Sequence, residues 1–284
     1  MNERSIWRLA QSTVGNWMDD NAMRLSAALA FYTVWSIGPL FLVVVSVVGL
    51  VYGRDAAEGH VVDSLRELVG DEGANSIQEA IVHANASGHT ITANVVGIVL
   101  LLVAASGVVA ELKSSLNLIW EIKPPKTTWL AALRERALSL TMLLGVGFLL
   151  LVSSLFNAGL SAIGKRLNGY IPGGEEIWHV AHASVSFGLA TVVFTFIFKI
   201  IPDVAIRWRD VWLGGALTAA LFTLGQVFMG LYVGKTNIGS VYGAASSLMI
   251  VLVWIFFSSC LLFLGAEFTR AYARMYGDPP TTRR

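Results

Sequence analysis

Residues Val241–Ala266 read VYGAASSLMIVLVWIFFSSCLLFLGA, a stretch of 26 residues without one charged side chain. A helix of about 20 such residues spans the hydrocarbon core of a bilayer, which is roughly 30 Å thick. Backbone groups inside hydrocarbon must be hydrogen-bonded within the protein, and a helix satisfies them within one segment. The stretch therefore predicts a transmembrane helix.

Five further runs have the same character, and only Lys199 interrupts them, near the end of its run. They cover Leu25–Tyr52, Ile91–Ala110, Ala137–Leu160, Ala183–Ile201 and Val211–Val233. We expect an all-α polytopic membrane protein with six transmembrane helices and short amphipathic interfacial helices. A single membrane domain is expected over residues 1–284.

The composition agrees with a membrane location. Apolar residues make up 55% of the chain and charged residues 14%, whereas soluble domains carry about 45–50% and about 25%. So little charge does not cover a water-exposed surface. The net charge of +1 indicates no nucleic-acid partner, and the single cysteine, Cys260, excludes an internal disulfide.

Lysine and arginine fall unevenly between the six runs. One set of connecting segments, which includes both termini, holds 15 of them, and the opposite set holds 5. Short cytoplasmic segments are the ones that accumulate basic residues. The sequence therefore predicts cytoplasmic N- and C-termini and a cytoplasmic tail over 272–284.

Several connecting segments carry patterns of their own. In the first 22 residues, Trp7, Ala10, Val14 and Trp17 share a stripe, which predicts a helix in the membrane interface or, alternatively, one packed on protein. Residues 53–90 form an acidic outer loop with helical spacing. A second stripe predicts another element along the inner leaflet; it consists of Leu112, Leu116, Ile119 and Trp120.

Charged residues are confined to the ends of the runs. Arg24 heads the first run, whereas Glu111 and Glu267 end the second and the last. An unpaired charge in a dehydrated site costs several kcal/mol, so we expect Arg24 to approach one of these carboxylates. A structural clasp and a substrate site are the two interpretations, and the clasp is favoured.

Three other patterns are candidates for function or packing. Pro39 predicts a kink within the first run. The pairs Gly230 with Gly234 and Gly239 with Gly243 have the spacing of close helix packing. A zinc site is a further hypothesis for Glu175, His179 and His182, which share a helix face, and exposed histidines without a ligand are the favoured alternative.

Three blocks resemble the YihY/BrkB family of bacterial inner-membrane proteins: RLSAALAFYTVWSIGPLF over 24–41, LNLIW over 116–120, and the segment from Gly239 to Arg270. The resemblance covers about residues 20–275 and implies a six-helix inner-membrane protein. It makes further residues of these blocks candidates for function, namely Ala27, Phe31, Tyr32, Asn117, Trp120, Tyr242, Gly243 and Trp254.

We expect transport or the handling of an envelope lipid. Lipid is preferred to ions because the interiors of the runs lack charge, while the elements facing the leaflet are rich in Trp and Arg. A scaffold or assembly partner, or a channel for small solutes or ions, are the alternatives. Membrane lipids are the expected partners, and a homo-oligomer is left open. No enzyme activity, cofactor or nucleic acid is expected, because the sequence contains no HExxH or GxSxG motif.

Overall fold

The computed structural model describes residues 3–36, 107–122, 174–235, 246–277 and 281–282. These residues are almost entirely helical. The helices are α1 (Glu3–Asp19), α2 (22–36), α3 (107–119), α4 (Gly174–Ile200), α5 (Trp208–Lys235) and α6 (Ser246–Tyr276), and two short strands are β1 (Val204–Ala205) and β2 (Thr281–Thr282).

Three of the described helices are long and apolar enough to cross a membrane. The spanning stretches are Ala183–Ile200 in α4, Trp208–Leu231 in α5 and Leu248–Tyr276 in α6. They coincide with the last three of the six predicted runs. The described parts of the first and second runs, 25–36 and 107–110, are helical. The third run, Ala137–Leu160, lies outside the described residues.

The chain divides into two compact units. The first comprises Met1–Met23, Leu112–Gln226 and Cys260–Arg284, and the second comprises Arg24–Glu111 and Val227–Ser259. In the second unit, a Cβ built on Gly107 would lie 3.3 Å from Cδ1 of Tyr32. The rings of Phe228 and Phe257 stack there with their centroids 6.0 Å apart.

In the first unit, glycines bring α5 and α6 into close contact. Gly214 of α5 faces Thr269 of α6, while Gly265 of α6 faces Thr218 of α5. A Cβ built on either glycine would lie 2.9 Å from the Cβ of the facing threonine. The two helices therefore meet through a reciprocal pair of Gly-x-x-x-Thr sequences, the small-residue contact that lets helix backbones approach in membranes.

The α4–α5 contact is tighter still at the backbone. A Cβ on Gly215 would overlap the hydroxyl of Thr195 and lie 2.9 Å from the carbonyl oxygen of Thr191. At the α5–α6 contact, the hydroxyls of Thr218 and Thr269 donate to the carbonyls four residues earlier in their own helices at 2.7 Å. The buried hydroxyl of Thr195 at the α4–α5 contact has no hydrogen-bond partner among the described residues.

Helix α1 and the residue after it contact the C-terminal end of α6. Ser5 shares a hydrogen bond of 2.5 Å with the hydroxyl of Tyr276, and Asp20 contacts Arg270. Both ends of α1 are therefore joined to the last turns of α6.

The two sides of α1 differ in burial. Leu9 and Thr13 are buried on one side, whereas Trp7, Val14 and Met18 are exposed on the other. Trp7 and Val14 belong to the stripe that predicted an interfacial helix, while Trp17 is only partly exposed. An apolar face is thus left uncovered by the described residues, and its location in the membrane interface stays a prediction.

The apolar stripe of α3 packs into the protein. Leu116, Ile119 and Trp120 are buried, and Leu112 is partly buried. These residues therefore face protein and not lipid, while the position of α3 along the inner leaflet stays a prediction. Periodicity shows which face of a helix is apolar, but it does not distinguish a protein partner from lipid.

The C-terminal residues are partly built into the first unit. Residues 272–276 continue α6, and β2 pairs antiparallel with β1, with Val204 opposite Thr282 and Ala205 opposite Thr281. The predicted tail over 272–284 therefore begins as a helix and returns to the α4–α5 connection.

Candidate functional site

Arg270 of α6 is the centre of a charged network in the first unit. Its Nη1 lies 2.6 Å from Oδ2 of Asp20 and 3.4 Å from Oε2 of Glu267, and its Nη2 contacts Glu121. Arg274, one turn further along α6, lies 2.7 Å from the other oxygen of Glu121. We call these five residues the Arg270 network: Asp20, Glu121, Glu267, Arg270 and Arg274.

Two of the carboxylates in this network stand directly after helices. Asp20 follows α1, and Glu121 follows the last turn of α3. The C-terminal end of a helix carries partial negative charge, so an acidic residue there is unfavourable by itself. Arg270 and Arg274 compensate both carboxylates, and they join the ends of α1 and α3 to α6.

Glu121 adopts a backbone conformation that usually belongs to glycine. Its φ is 55°, its N–H donates to the carbonyl of Leu118, and the next N–H, of Ile122, donates to the carbonyl of Asn117. This hydrogen-bond pattern is a Schellman cap with a non-glycine residue at the left-handed position. A glutamate in this left-handed conformation is strained by about 1 kcal/mol or more. We therefore attribute the presence of glutamate at this position to its contacts with the two arginines.

The arginines also hold Glu121 in its charged form. The hydrogen bond from Arg274 is the main cause that lowers the pKa of Glu121 below its ordinary value of 4.5, and the charges of both arginines act in the same direction. The Glu121 side chain is more than half exposed, so solvent weakens this pairing. The pairing of Arg270, which is 4% exposed, is the one shielded from water.

The buried part of the network is not fully paired. Oε1 of Glu267 and Nε of Arg270 are buried and have no hydrogen-bond partner among the described residues. A buried polar group without a partner costs about 1–3 kcal/mol. An apolar contact would stabilise this helix junction at lower cost, so stability alone does not account for the network.

A second polar contact links α3 to the α4–α5 connection. The amide of Asn117 accepts a hydrogen bond from the backbone N–H of Asp203 at 2.8 Å and donates to its Oδ2 at 3.0 Å. Lys113 lies 2.9 Å from the same carboxylate oxygen. These three contacts fix the turn that precedes β1 and α5.

Comparison with known proteins assigns the family. A family model described as "Virulence factor BrkB" matches residues 13–284. This chain belongs to the BrkB family. A UPF0761 membrane protein of Verminephrobacter eiseniae is 28% identical over 94% of this chain and 62% of the relative. Another, of Alkalilimnicola ehrlichii, is 26% identical over 89% of this chain and 56% of the relative.

A third relative, from Alcanivorax borkumensis, is 24% identical over 91% of this chain and 58% of its own length. The chain thus spans about three fifths of the curated relatives that it matches. No solved structure matches. Together with the three apolar helices, these relatives show that the BrkB-family chain is an integral membrane protein.

The structure places several of the predicted residues. Glu267 and Asn117 lie in the first unit, where Glu267 contacts Arg270 and Asn117 contacts Asp203. Trp120 is buried at the end of α3, and Tyr32 is partly exposed against Gly107. Trp254 lies partly buried in α6, and Phe31 is exposed beside Trp35 in α2.

The predicted clasp stays a prediction. Arg24 is exposed near the start of α2, and Glu111 lies partly buried in α3. Glu267, the second proposed partner of Arg24, contacts Arg270, which stands three residues later in the same helix.

Other predicted residues, or their side chains, lie outside the part of the chain that the structure describes. Pro39, Tyr242 and Gly243 lie outside the described residues. Glu175, His179 and His182 belong to α4, but their side chains are outside the described part, so the zinc hypothesis stays a prediction. Among the described residues, no group of three or more His, Cys, Asp or Glu side chains is arranged to hold a metal ion.

Sequence reasoning missed Arg270, the residue at the centre of this BrkB-family site. A signal was present, because Glu267, Arg270 and Arg274 follow each other at helical spacing directly after the apolar run. Residues three and four apart on a helix are neighbours. The partners from α1 and α3 carried no such signal.

Proposed function

We propose that this chain transports or hands on an envelope lipid at the cytoplasmic leaflet of a bacterial inner membrane. The observation that carries the proposal is the position of α1. The helix is joined at both ends to the C-terminal end of a membrane-spanning helix, through Tyr276 and Arg270, and leaves Trp7, Val14 and Met18 exposed. A helix with this character lies in the interface plane, where lipid headgroups meet acyl chains.

Three members of the Arg270 network lie in α6, and their position in this helix supports the same function. The spanning stretch Leu248–Tyr276 contains 29 residues, and about 20 suffice to cross the hydrocarbon core. Glu267, Arg270 and Arg274 all lie in the last third of this stretch, so they lie at the boundary of the hydrocarbon core. A junction of α1, α3 and α6 at that depth is suited to respond when α1 engages lipid.

Lipid movement between leaflets tests the proposal. The full chain is reconstituted into vesicles that contain lipids with a fluorescent headgroup, and an impermeant reductant reports how fast inner-leaflet lipid becomes accessible. We expect faster exchange than in protein-free vesicles. A triple variant of the exposed face, Trp7→Ser, Val14→Ser and Met18→Ser, is expected to lose the effect, because it removes only side chains that face outward.

A control variant, Gln11→Ser with Asp19→Ser, changes exposed polar positions of the same helix and is expected to behave as the unsubstituted chain. Exchange at the protein-free rate would count against lipid transport. It would favour the second candidate, a scaffold without transport, which the reciprocal glycine–threonine contacts of α5 and α6 support.

The proposed orientation makes a separate prediction. With six spans and cytoplasmic termini, reporter fusions after residues 60 and 170 are expected to score as external, and fusions after 125, 205 and 280 as internal. The physical reason is the excess of lysine and arginine in the segments that carry the fusions expected to be internal. A cytoplasmic signal from the acidic 53–90 segment would contradict this topology.

No nuclease activity is proposed, although members of the family have been labelled ribonucleases. The sequence offers no arrangement of metal ligands or of an acid and a base that RNA cleavage requires. Purified protein is expected to leave a fluorescent RNA substrate intact over hours. Cleavage that a single substitution in this chain abolishes would contradict the prediction.

A further inference from the structure

The start of α5 carries two tryptophans and two arginines on an exposed surface. Trp208 and Trp212 stand one helical turn apart and are 50% and 45% exposed. Arg207 and Arg209 flank Trp208 and are also exposed. We call these four residues the Arg–Trp shelf.

Trp208 is held in place by residues of α4. The ring of Phe196 meets it edge-on, with centroids 5.8 Å apart and an interplanar angle of 78°. Nζ of Lys199 lies 5.3 Å from the centroid of the indole and also donates to the carbonyl of Ile206. A ring that is fixed before binding loses little conformational freedom when a ligand arrives.

The shelf is locally positive. Asp210, the nearest acidic residue in sequence, is buried at 1% exposure, and Asp203 is paired with Lys113. Arg207 and Arg209 are both exposed beside Trp208, and each carries a formal positive charge. The first turn of α5 is the positive end of a helix of 28 residues, which favours an anion, and the buried Asp210 lies in the same turn.

An apolar surface continues from the shelf along α5. Leu213 is 43% exposed and Leu224 is 68% exposed, whereas Val211, Gly214 and Gly215 are buried on the opposite side. A free phosphate would need only the charged end. A molecule that also covers Leu213 and Leu224 has an apolar tail, so the surface fits a lipid.

We propose that the Arg–Trp shelf binds the phosphate headgroup of an anionic glycerophospholipid, with its acyl chains along the exposed side of α5. Tryptophan alone anchors a helix at the interface without selecting a headgroup. The planar guanidinium groups add paired hydrogen bonds to phosphate oxygens, and they select negative charge. The inference deepens the proposed function by naming the lipid class, and it rests on that function only for the biological role of binding.

Lipid retention by the full chain measures the binding. The protein is purified in mild detergent and equilibrated with equal amounts of phosphatidylglycerol and phosphatidylcholine of the same acyl chains. Native mass spectrometry then gives the ratio of the two lipids that stay bound. We expect phosphatidylglycerol to be enriched in the unsubstituted chain, with roughly a fivefold contribution from each arginine.

Two variants separate charge from shape. Arg207→Gln with Arg209→Gln is expected to abolish the enrichment, and Trp208→Leu with Trp212→Leu to lower total retention of both lipids. The matched control, Arg54→Gln with Arg66→Gln, removes the same charge from the predicted outer segment and is expected to retain the enrichment. Melting temperatures of all variants identify any that are misfolded.

The results decide between the inference and its alternatives. Equal enrichment in the unsubstituted chain and in a folded Arg207→Gln, Arg209→Gln variant would overturn the inference. An equal loss in the control would do the same, because overall charge would then explain the enrichment. Enrichment of phosphatidylglycerol without lipid movement between leaflets would contradict the proposed function and support this binding site. Lipid movement without enrichment would support the proposed function and contradict this binding site.

Discussion

Gly215→Ala is expected to destabilise the protein by about 2–3 kcal/mol, the upper part of the range for overpacked cores. The new methyl group would overlap the hydroxyl of Thr195 and lie 2.9 Å from the carbonyl oxygen of Thr191. Because part of this clash involves backbone, no side-chain rotation relieves it. The α4 and α5 helices must separate, and a contact between two candidate spans is lost.

A thermal unfolding series in detergent, followed by circular dichroism, measures this effect. Gly188→Ala is the matched control, because it lies in α4 and a Cβ there would meet nothing within 4 Å. Its melting temperature is expected to stay unchanged or to rise slightly, since alanine favours helices by about 1 kcal/mol over glycine. Equal melting of the two variants would contradict the close α4–α5 contact.

A second pair of variants tests the reciprocal contact between α5 and α6. In Gly265→Ala, the three atoms nearest to the new methyl group all belong to the side chain of Thr218, whose Cβ would lie 2.9 Å away. Adding Thr218→Gly moves the small residue to the other helix and is expected to restore part of the stability. No single side-chain exchange is expected to rescue Gly215→Ala, because backbone atoms of α4 remain in the way.

Arg270→Gln is expected to be the most damaging change in the charged network. It leaves Glu267, which is fully buried, and Asp20 without their shared cation. Breaking a buried ion pair by removing one partner destabilises by about 3–5 kcal/mol. Arg274→Gln removes an equal charge one turn away from a pair exposed on both sides, and exposed pairs contribute about 0–1 kcal/mol.

Melting temperatures of the two variants give the comparison directly, and Arg270→Gln is expected to fall several times further. The double variant Glu267→Gln with Arg270→Gln is expected to recover part of the loss, because it removes a buried carboxyl group that would otherwise lack its partner. If both single variants have the same melting temperature, or if the double variant melts at a lower temperature than Arg270→Gln, the network is not organised around Arg270.

The sequence predicted the three candidate spans that the structure describes, whereas it did not predict the contacts between them. Runs such as Val211–Val233 can be recognised in the sequence because hydrocarbon tolerates neither charged side chains nor backbone groups without hydrogen bonds. Glycine spacing was a weaker guide. Gly230 had the predicted small-residue spacing, yet a Cβ there would meet nothing within 4 Å. The close contacts are at Gly214, Gly215 and Gly265, where a threonine on the neighbouring helix stands opposite.

The candidate site shows the same division. Glu267 was singled out because a carboxylate that ends an apolar run needs a partner, and that reasoning is local. Asp20 and Glu121 were not, because they stand 250 and 149 residues away from Arg270 in the chain. Their role depends on how α1 and α3 end beside α6, which no periodicity encodes.

The length and lack of charge of the apolar runs are enough to predict an integral membrane protein of helices, because such segments are stable in hydrocarbon only as helices. Which faces of these helices meet protein depends on how the helices pack in the folded chain. The apolar stripe of α3 is buried, whereas that of α1 is exposed, because burial depends on neighbours brought together by folding and not on the pattern of one helix.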